Sequence, residues 1–208
     1  MTVLPIRTSR ASGAGHPIHP LLAERFSPRA FAPTAIRIDE LRSMFAAAAW
    51  APSAFNGQPW RFLVGIRGDS TWEAILGSLD RDNRRWAGGA PVLVLNVARV
   101  TWNGSAVSTA TYDLGQAVAH LTIQALADGI HVHQMSGFEP EHLVDFFDFP
   151  AEFTPVTVMA VGRLGDPEGL PQDLRVREVA PRERVPMSTL VFSSTFGKAA
   201  PWISDTSI

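Results

Sequence analysis

The apolar positions of this chain switch several times between a helical and a strand period. In "IDELRSMFAAAAWA", which begins at Ile38, they recur at Ile38, Leu41, Phe45 and Ala48. That is a helical spacing, and Asp39 and Glu40 fall in the first turn, where carboxylates meet the positive end of the helix dipole. Pro52 ends this helix. "RFLVGI" (61–66) is short and apolar enough for a buried strand, and Ser70 is placed to cap a second helix running to about Leu79. "PVLVLNVARV" (91–100) is the strongest strand signal. "YDLGQAVAHLTIQALADG" (112–129) has apolar residues at 114, 117, 118, 121, 125 and 126, which predicts a long core helix closed by Gly129. "IHVHQM" (130–135) alternates like a strand, "PEHLVDFF" (140–147) predicts a short helix, and "TPVTVMAVGRL" (154–164) predicts a last long strand. Helices and strands therefore alternate through one sheet, whose strand order the pattern does not reveal.

Both ends of the chain lack this periodicity. Residues 1–20 are rich in Pro, Gly and Ser and predict a flexible N-terminal arm, leaving 21–208 as a single domain. From Asp166 the chain is Pro- and charge-rich and reads as an extended C-terminal tail. A tail of about 40 residues without a core of its own has to wrap over something, and in a dimer that can be the partner.

Composition narrows the functions available. The 208 residues are 46% hydrophobic, enough for one domain with a real core, and the formal net charge of −2 offers no basic footprint for nucleic acid. The chain has no cysteine, so disulfides, thiolate catalysis and Cys-ligated metal centres are excluded. No apolar stretch approaches the roughly 18 residues of a membrane span. The segment "MTVLPIRTSRASGAGHPIHP" has Arg7 and Arg10 but no continuous apolar run, so a signal peptide is not expected. The expectation is a cytoplasmic protein with neither nucleic-acid nor membrane partners.

Candidate chemistry enters through side chains, because no glycine cradle exists. There is no G-x-S-x-G, G-x-G-x-x-G or G-x-x-x-x-G-K-[ST], so an anionic cofactor would have to be held without a Rossmann or Walker loop. His131 and His133 share one face of a strand but lack carboxylates at ligand-like spacing; a polar strand face is the better reading, and no metal is expected. His16, His19 and His120 complete no H-E-x-x-H. "ERFSPRAF" places Arg25, Ser27 and Arg29 at alternate positions, and "APRERVP" adds Arg182 and Arg184 near the other end of the chain. Guanidinium forks suit phosphate, though each stretch alone reads as a solvated charged loop. Between them, "APSAFNGQPWRF" (51–62) sets Asn56 and Gln58 among prolines, with Phe55 and Trp60 beside them. Amides offer donor and acceptor together, and aromatics offer apolar walls, as a flat and partly polar ligand would need.

"RFSPRAF", "APSAFNGQPWRF", "HQMSGF" and "APRERVP", in this order, resemble the FMN-dependent nitroreductase family over about Leu21 to Val191. The resemblance implies an α+β fold with a mixed central sheet wrapped by helices, and an intertwined homodimer with two FMN sites at its interface. It implies that Arg25, Ser27, Arg182 and Arg184 hold the FMN phosphate and ribityl chain, with Arg29 at the N1/O2 side of the ring. Pro52, Ser53, Ala54, Asn56 and Gln58 would come from the neighbouring subunit. Asn83 would meet the pyrimidine edge, and Ser136 and Gly137 would lie near the N5 face. Two positions depart from the family pattern: Phe26 stands where a basic residue or histidine is usual, and Trp86 stands where bacterial nitroreductases carry a lysine. The implied reaction is ping-pong, with NAD(P)H as transient donor and a nitroaromatic, quinone or similar small molecule as acceptor; no catalytic acid or base is nominated. A flavin-dependent dehydrogenase passing electrons to oxygen and a non-catalytic FMN-binding protein are the alternatives.

Overall fold

The computed structural model describes residues 16–203 and layers helices on both faces of one sheet. The helices are α1 (Pro20–Glu24), α2 (Ile38–Ala49), α3 (Ser70–Ser78), α4 (Arg81–Ala87), α5 (Ala110–Ala127), α6 (Pro140–Phe146) and α7 (Gln172–Val179). The strands are β1 (Trp60–Ile66), β2 (Val92–Arg99), β3 (Thr101–Trp102), β4 (Ser105–Ala106), β5 (His131–Met135) and β6 (Phe153–Gly162). Four of them form the main sheet in the order β1-β2-β6-β5, and β3 with β4 makes a separate hairpin. Residues 1–15 of the expected arm lie outside the described residues. The arm's end is not loose chain: Pro20 opens α1, and the His19 ring accepts from the Leu21 amide at 3.2 Å. Among the described residues no helix is long and apolar enough to cross a membrane.

The central strands carry the core. On β2, Val92, Val94 and Ala98 face α2 and α5, while Leu93, Leu95 and Val97 face the side covered by α3, α4, α6 and α7. The stripe on α2 runs through Leu41, Met44 and Ala48, with Ile38 half exposed. The long helix α5 buries Leu114, Ala117, Val118, Leu121 and Ala125, as its period predicts. It ends as expected at Gly129: φ is +69°, and the Gly129 and Ile130 amides return to Leu126 and Ala125 at 3.0 and 2.8 Å. A side chain would strain that left-handed turn.

The sheet corrects one expectation. Every neighbouring pair is antiparallel, so the main sheet is not mixed among the described residues. Parallel neighbours need a crossover as long as the strands. Here the single long helix, α5 with 18 residues, joins β2 to β5, and β6 is inserted between those two strands. The connections between true neighbours carry helices of 7 to 9 residues, about 10–14 Å long, too short to run back along strands of about 25 Å.

Three local readings also shift. The cap of α3 is Asp69, whose carboxylate takes the Trp72 amide at 2.7 Å, so Ser70 is the first helical residue. Helix α4, capped by Asp80 on the Asn83 amide at 2.7 Å, was not expected. The tail beyond Asp166 is not all extended: α7 buries Leu174 and Glu178 against the sheet's second face.

Candidate functional site

The predicted site residues gather at three places. At the first, the C-terminal end of α1 meets the segment after α7. Arg182 donates through Nη1 to the Arg25 carbonyl and through Nη2 to the Ala23 carbonyl, the latter at 2.5 Å. The Arg25 Nη1 reaches Ser27 Oγ at 3.4 Å. Burial first, then the neighbouring charges of Arg182 and Arg184, hold the Arg25 pKa below the ordinary arginine range. The exposed Arg184 side chain bonds only the adjacent Glu183 carbonyl, at 2.6 Å. Among the described residues no carboxylate stands within ion-pair distance of these three arginines. Residues 157 positions apart thus form one concentrated, uncompensated patch of positive charge.

Arg29, four residues after Arg25 in sequence, lies against α7. Its backbone amide donates to Glu178 Oε2 at 2.9 Å, and the Ala30 amide faces Glu178 Oε1 at 3.4 Å. Burial first, then Arg177, lowers the Arg29 pKa, with Glu178 pulling the other way. From β5, His133 Nδ1 donates to the Pro28 carbonyl at 2.9 Å. His133 is buried rather than part of a wet strand face, and burial pulls its pKa down to about 4. It is therefore a neutral ring at ordinary pH. Phe26, in place of a basic residue, packs on the His131 ring at 5.4 Å. Among the described residues no cluster of metal-ligating side chains forms.

The second place is the C-terminal end of β5. The Asn83 carboxamide donates to the Gly137 carbonyl at 3.1 Å, and the Asp80 amide bonds the same carbonyl at 3.1 Å. A side chain at Gly137 would collide with the Asp80 carboxylate, so the glycine is required by this contact. Ser136 beside it is exposed. Trp86 points inward from α4, 4.4 Å from the His133 ring and 6.3 Å from Phe31. The position noted as a departure, Trp86, is thus a core position. The outward cation of α4, Arg85, forms a bidentate pair with Asp173 of α7 at 2.7 and 2.8 Å.

The third place is the loop before β1. Phe55, Asn56 and Gln58 all have positive φ (52°, 53° and 45°), an unusual run for residues other than glycine. Local bonds hold it: the Ala54 amide donates to buried Asp113 at 3.1 Å, the Gln58 amide to Ser53 Oγ at 3.1 Å, and the Gln58 carboxamide to the Asn56 carbonyl at 2.9 Å. Pro52, Ala54, Phe55, Asn56 and Gln58 are exposed and Ser53 is half-buried. Trp60, expected as an apolar wall, is instead buried in the core beside α2 and α5.

This loop stands far from the first place. It precedes β1, at one edge of the sheet, whereas His131, His133 and the arginines attach to β5, at the other edge. Trp60 aligns through Ala98 with Thr154, and His131 aligns with Gly162, eight residues further along β6. Three inter-strand spacings and those eight residues separate the two corners by about 30 Å. Within one chain they cannot hold the same mononucleotide.

The sequence reading did not single out Arg177, Glu178 or Asp113 as parts of these places. For Glu178 the available signal was its i,i+4 spacing from the buried Leu174.

Comparison with known proteins adds a family. The family model described as the nitroreductase family matches residues 22–79. An uncharacterized 15.4 kDa protein of Mycolicibacterium smegmatis, encoded in the ask 5′ region, is 33% identical over 145 residues, 66% of this chain and 97% of that protein. A crystal structure described as an oxidoreductase containing FMN superposes with a TM-score of 0.85 at 34% identity, over 92% of this chain and 98% of the other. A nitroreductase family protein from Clostridium difficile 630 shares the fold, with a TM-score of 0.66 at 21% identity over 84% and 96% of the two chains.

Proposed function

The chain belongs to the nitroreductase family, and on that premise we propose that it is a cytoplasmic FMN-dependent oxidoreductase acting as a homodimer. The observation that carries this reading is the patch of Arg25, Arg182 and Arg184 with Ser27, in which, among the described residues, no arginine is ion-paired to a carboxylate. Like charges crowded together cost free energy unless an anion neutralises them, and a phosphate dianion matches guanidinium donors and a hydroxyl. The residues fit FMN in this respect. Arg184 and Arg25 would carry the phosphate with Ser27, while Arg182 spends two of its donors holding the patch together.

The remaining groups follow the same assignment. Arg29, with Arg177 beside it, would face the N1/O2 side of the flavin ring. Asn83, which also donates to the Gly137 carbonyl, would meet the pyrimidine edge, and Ser136 and Gly137 would lie near the N5 face. Pro52, Ser53, Ala54, Asn56 and Gln58 would arrive from the partner subunit, since about 30 Å separates them from the arginines of their own chain. Residues 21–208 then work as one FMN-binding domain, and the chain beyond the Arg182–Arg184 segment lies over the partner.

Bound there, FMN would supply two-electron chemistry, taking a hydride from NAD(P)H and passing the electron pair in ping-pong order to a nitroaromatic, quinone or similar small molecule. The protein's own part is placement and charge. His133 is neutral and already donates to Pro28, so it is not offered as an acid or base. The test is to purify the protein, identify its pigment by acid release and chromatography, and mix it anaerobically with NADH or NADPH. FMN that bleaches within seconds supports the reading. FAD, no flavin after reconstitution, or a yellow protein that neither nucleotide bleaches overturns it, the last pointing to a dehydrogenase or a binding protein.

A further inference from the structure

The first arginine motif is gripped from two sides by buried polar groups that the proposed chemistry does not use. His133 takes the Pro28 carbonyl from the β5 side. Glu178, 4% exposed on the last turn of α7, takes two successive amides, those of Arg29 and Ala30, at 2.9 and 3.4 Å. Among the described residues Glu178 forms no ion pair with a guanidinium, and its carboxylate is held by these amides. A carboxylate taken out of water is costly unless such bonds are made, and an apolar residue would fill the same helix position more cheaply. Its placement is therefore tied to what it holds. Glu178 lies 149 positions from Arg29 in sequence and only four before Arg182, so it joins the two arginine motifs.

We propose that Glu178 is a positioning residue for the flavin site, fixing the backbone from which Arg29 reaches the cofactor. This rests on the reading of Arg29 as a flavin-facing cation. The chemistry requires a carboxylate. It has two acceptor oxygens for two amides, whereas the carboxamide of a glutamine has one acceptor and an NH2 group that would face an N–H. Glu178→Gln thus breaks one of the two bonds at almost constant size.

Two effects of that substitution have opposite signs. Removing a negative charge near Arg29 would by itself leave the cation less compensated and raise the flavin midpoint potential. Losing the position of Arg29 lowers it, because a guanidinium near the ring favours the negatively charged reduced flavin. Positioning therefore predicts a fall.

The experiment uses full-length protein reconstituted with FMN, its fold checked by circular dichroism. FMN affinity is read by fluorescence titration and the midpoint potential by spectroelectrochemistry, for wild type, Glu178→Gln, Arg29→Gln and the double variant. The expected result for Glu178→Gln is FMN binding weaker by about threefold to tenfold, the scale of one net hydrogen bond, together with a lower potential. In the Arg29→Gln background the Glu178 change should shift the potential no further. Glu178→Asp keeps the charge but is too short for both amides, so it should act in the same direction and serves if the Gln variant does not fold. Wild-type affinity and potential in a variant that is merely less stable overturn the inference, as does a raised potential or full additivity with Arg29→Gln. Should Arg29→Gln itself leave the potential unchanged, the assignment of Arg29 fails and takes this inference with it.

Discussion

Arg182 and Arg184 are two residues apart, yet the structure gives them separable roles, and alanine at each should tell them apart. Arg184 bonds only its neighbour's carbonyl, and its charge adds to the repulsion felt by Arg25. Without FMN, Arg184→Ala should be as stable as wild type or slightly more so. With FMN it should lose about 1.5–3 kcal/mol of binding, the scale of hydrogen bonds to a charged group, or one to two decades in Kd. At an FMN concentration of about 100 times the wild-type Kd, ligand stabilisation is about 2.7 kcal/mol. Weakening Kd tenfold to a hundredfold removes about 1.3–2.3 kcal/mol of that, or about 3–9 °C in Tm for a domain of this size. Arg182 instead clamps the Ala23 and Arg25 carbonyls at the end of α1. At a half-buried position those bonds are worth about 2 kcal/mol together, so Arg182→Ala should lower the Tm of the apoprotein itself by about 4–8 °C. Thermal melts of both variants with and without FMN make the comparison. If Arg184→Ala costs the apoprotein as much as Arg182→Ala does, or leaves FMN binding untouched, the patch is not a phosphate site built around a structural arginine.

Three further outcomes are expected. Arg29→Gln should lower the flavin midpoint potential by about 30 mV: a charge pair at about 4 Å and an effective dielectric near 20 is worth about 4 kcal/mol, of which a third survives solvent and delocalisation, and spectroelectrochemistry reads the shift. His133, whose folded pKa of about 4 is below its ordinary 6.5, takes up its proton more readily in the unfolded chain, so its contribution to stability is complete above about pH 6.5 and declines as pH falls toward 4. Urea unfolding should show about 2 kcal/mol of loss from this source between pH 7 and 5, absent in His133→Gln. Mixed dimers of an Arg25/Arg184 double variant with an Asn56/Gln58 double variant should regain one tight FMN site per dimer; no recovery after verified exchange of protomers would place the loop away from the partner's site.

The sequence made the two arginine motifs legible, but not the helix that stands between them. Arg25, Ser27, Arg182 and Arg184 could be singled out because guanidiniums alternate with few acids in both motifs, and folding does bring them together. Helix α7 was hidden for the same kind of reason in reverse. Its apolar residues Leu174, Val176 and Val179 define no face; Val176 and Val179 are exposed, and the residue buried with Leu174 is an acid. A period search scores that acid as surface, although two amides supply what burial requires. Helix α4 buries only Trp86 and Ala87, too little for a period, and its remaining signal was the capping Asp80. Trp60 misled because an aromatic beside two amides looks like a ligand wall, whereas the strand alternation that begins there turns it inward.

On the proposed reading, the loop at 52–58 makes a single chain an incomplete account of the site. Left-handed backbone at Phe55, Asn56 and Gln58 costs on the order of 1–3 kcal/mol per residue, and such strain persists where surrounding bonds over-determine it. The chain supplies some of those bonds through Asp113 and Ser53. Yet Phe55, at the centre of the strain, is fully exposed, and an aromatic held out into water gains nothing for the fold. Covering it would contribute about 1.5–3 kcal/mol, comparable with the strain of one such residue. The arginine patch has the matching deficit in charge: three guanidiniums without an ion-paired carboxylate among the described residues. A second copy that laid this loop beside the patch, with a flat and anionic ligand between them, would resolve both at once. On that account the strained loop, the exposed ring and the uncompensated charge are three consequences of one cause, a site completed across two chains.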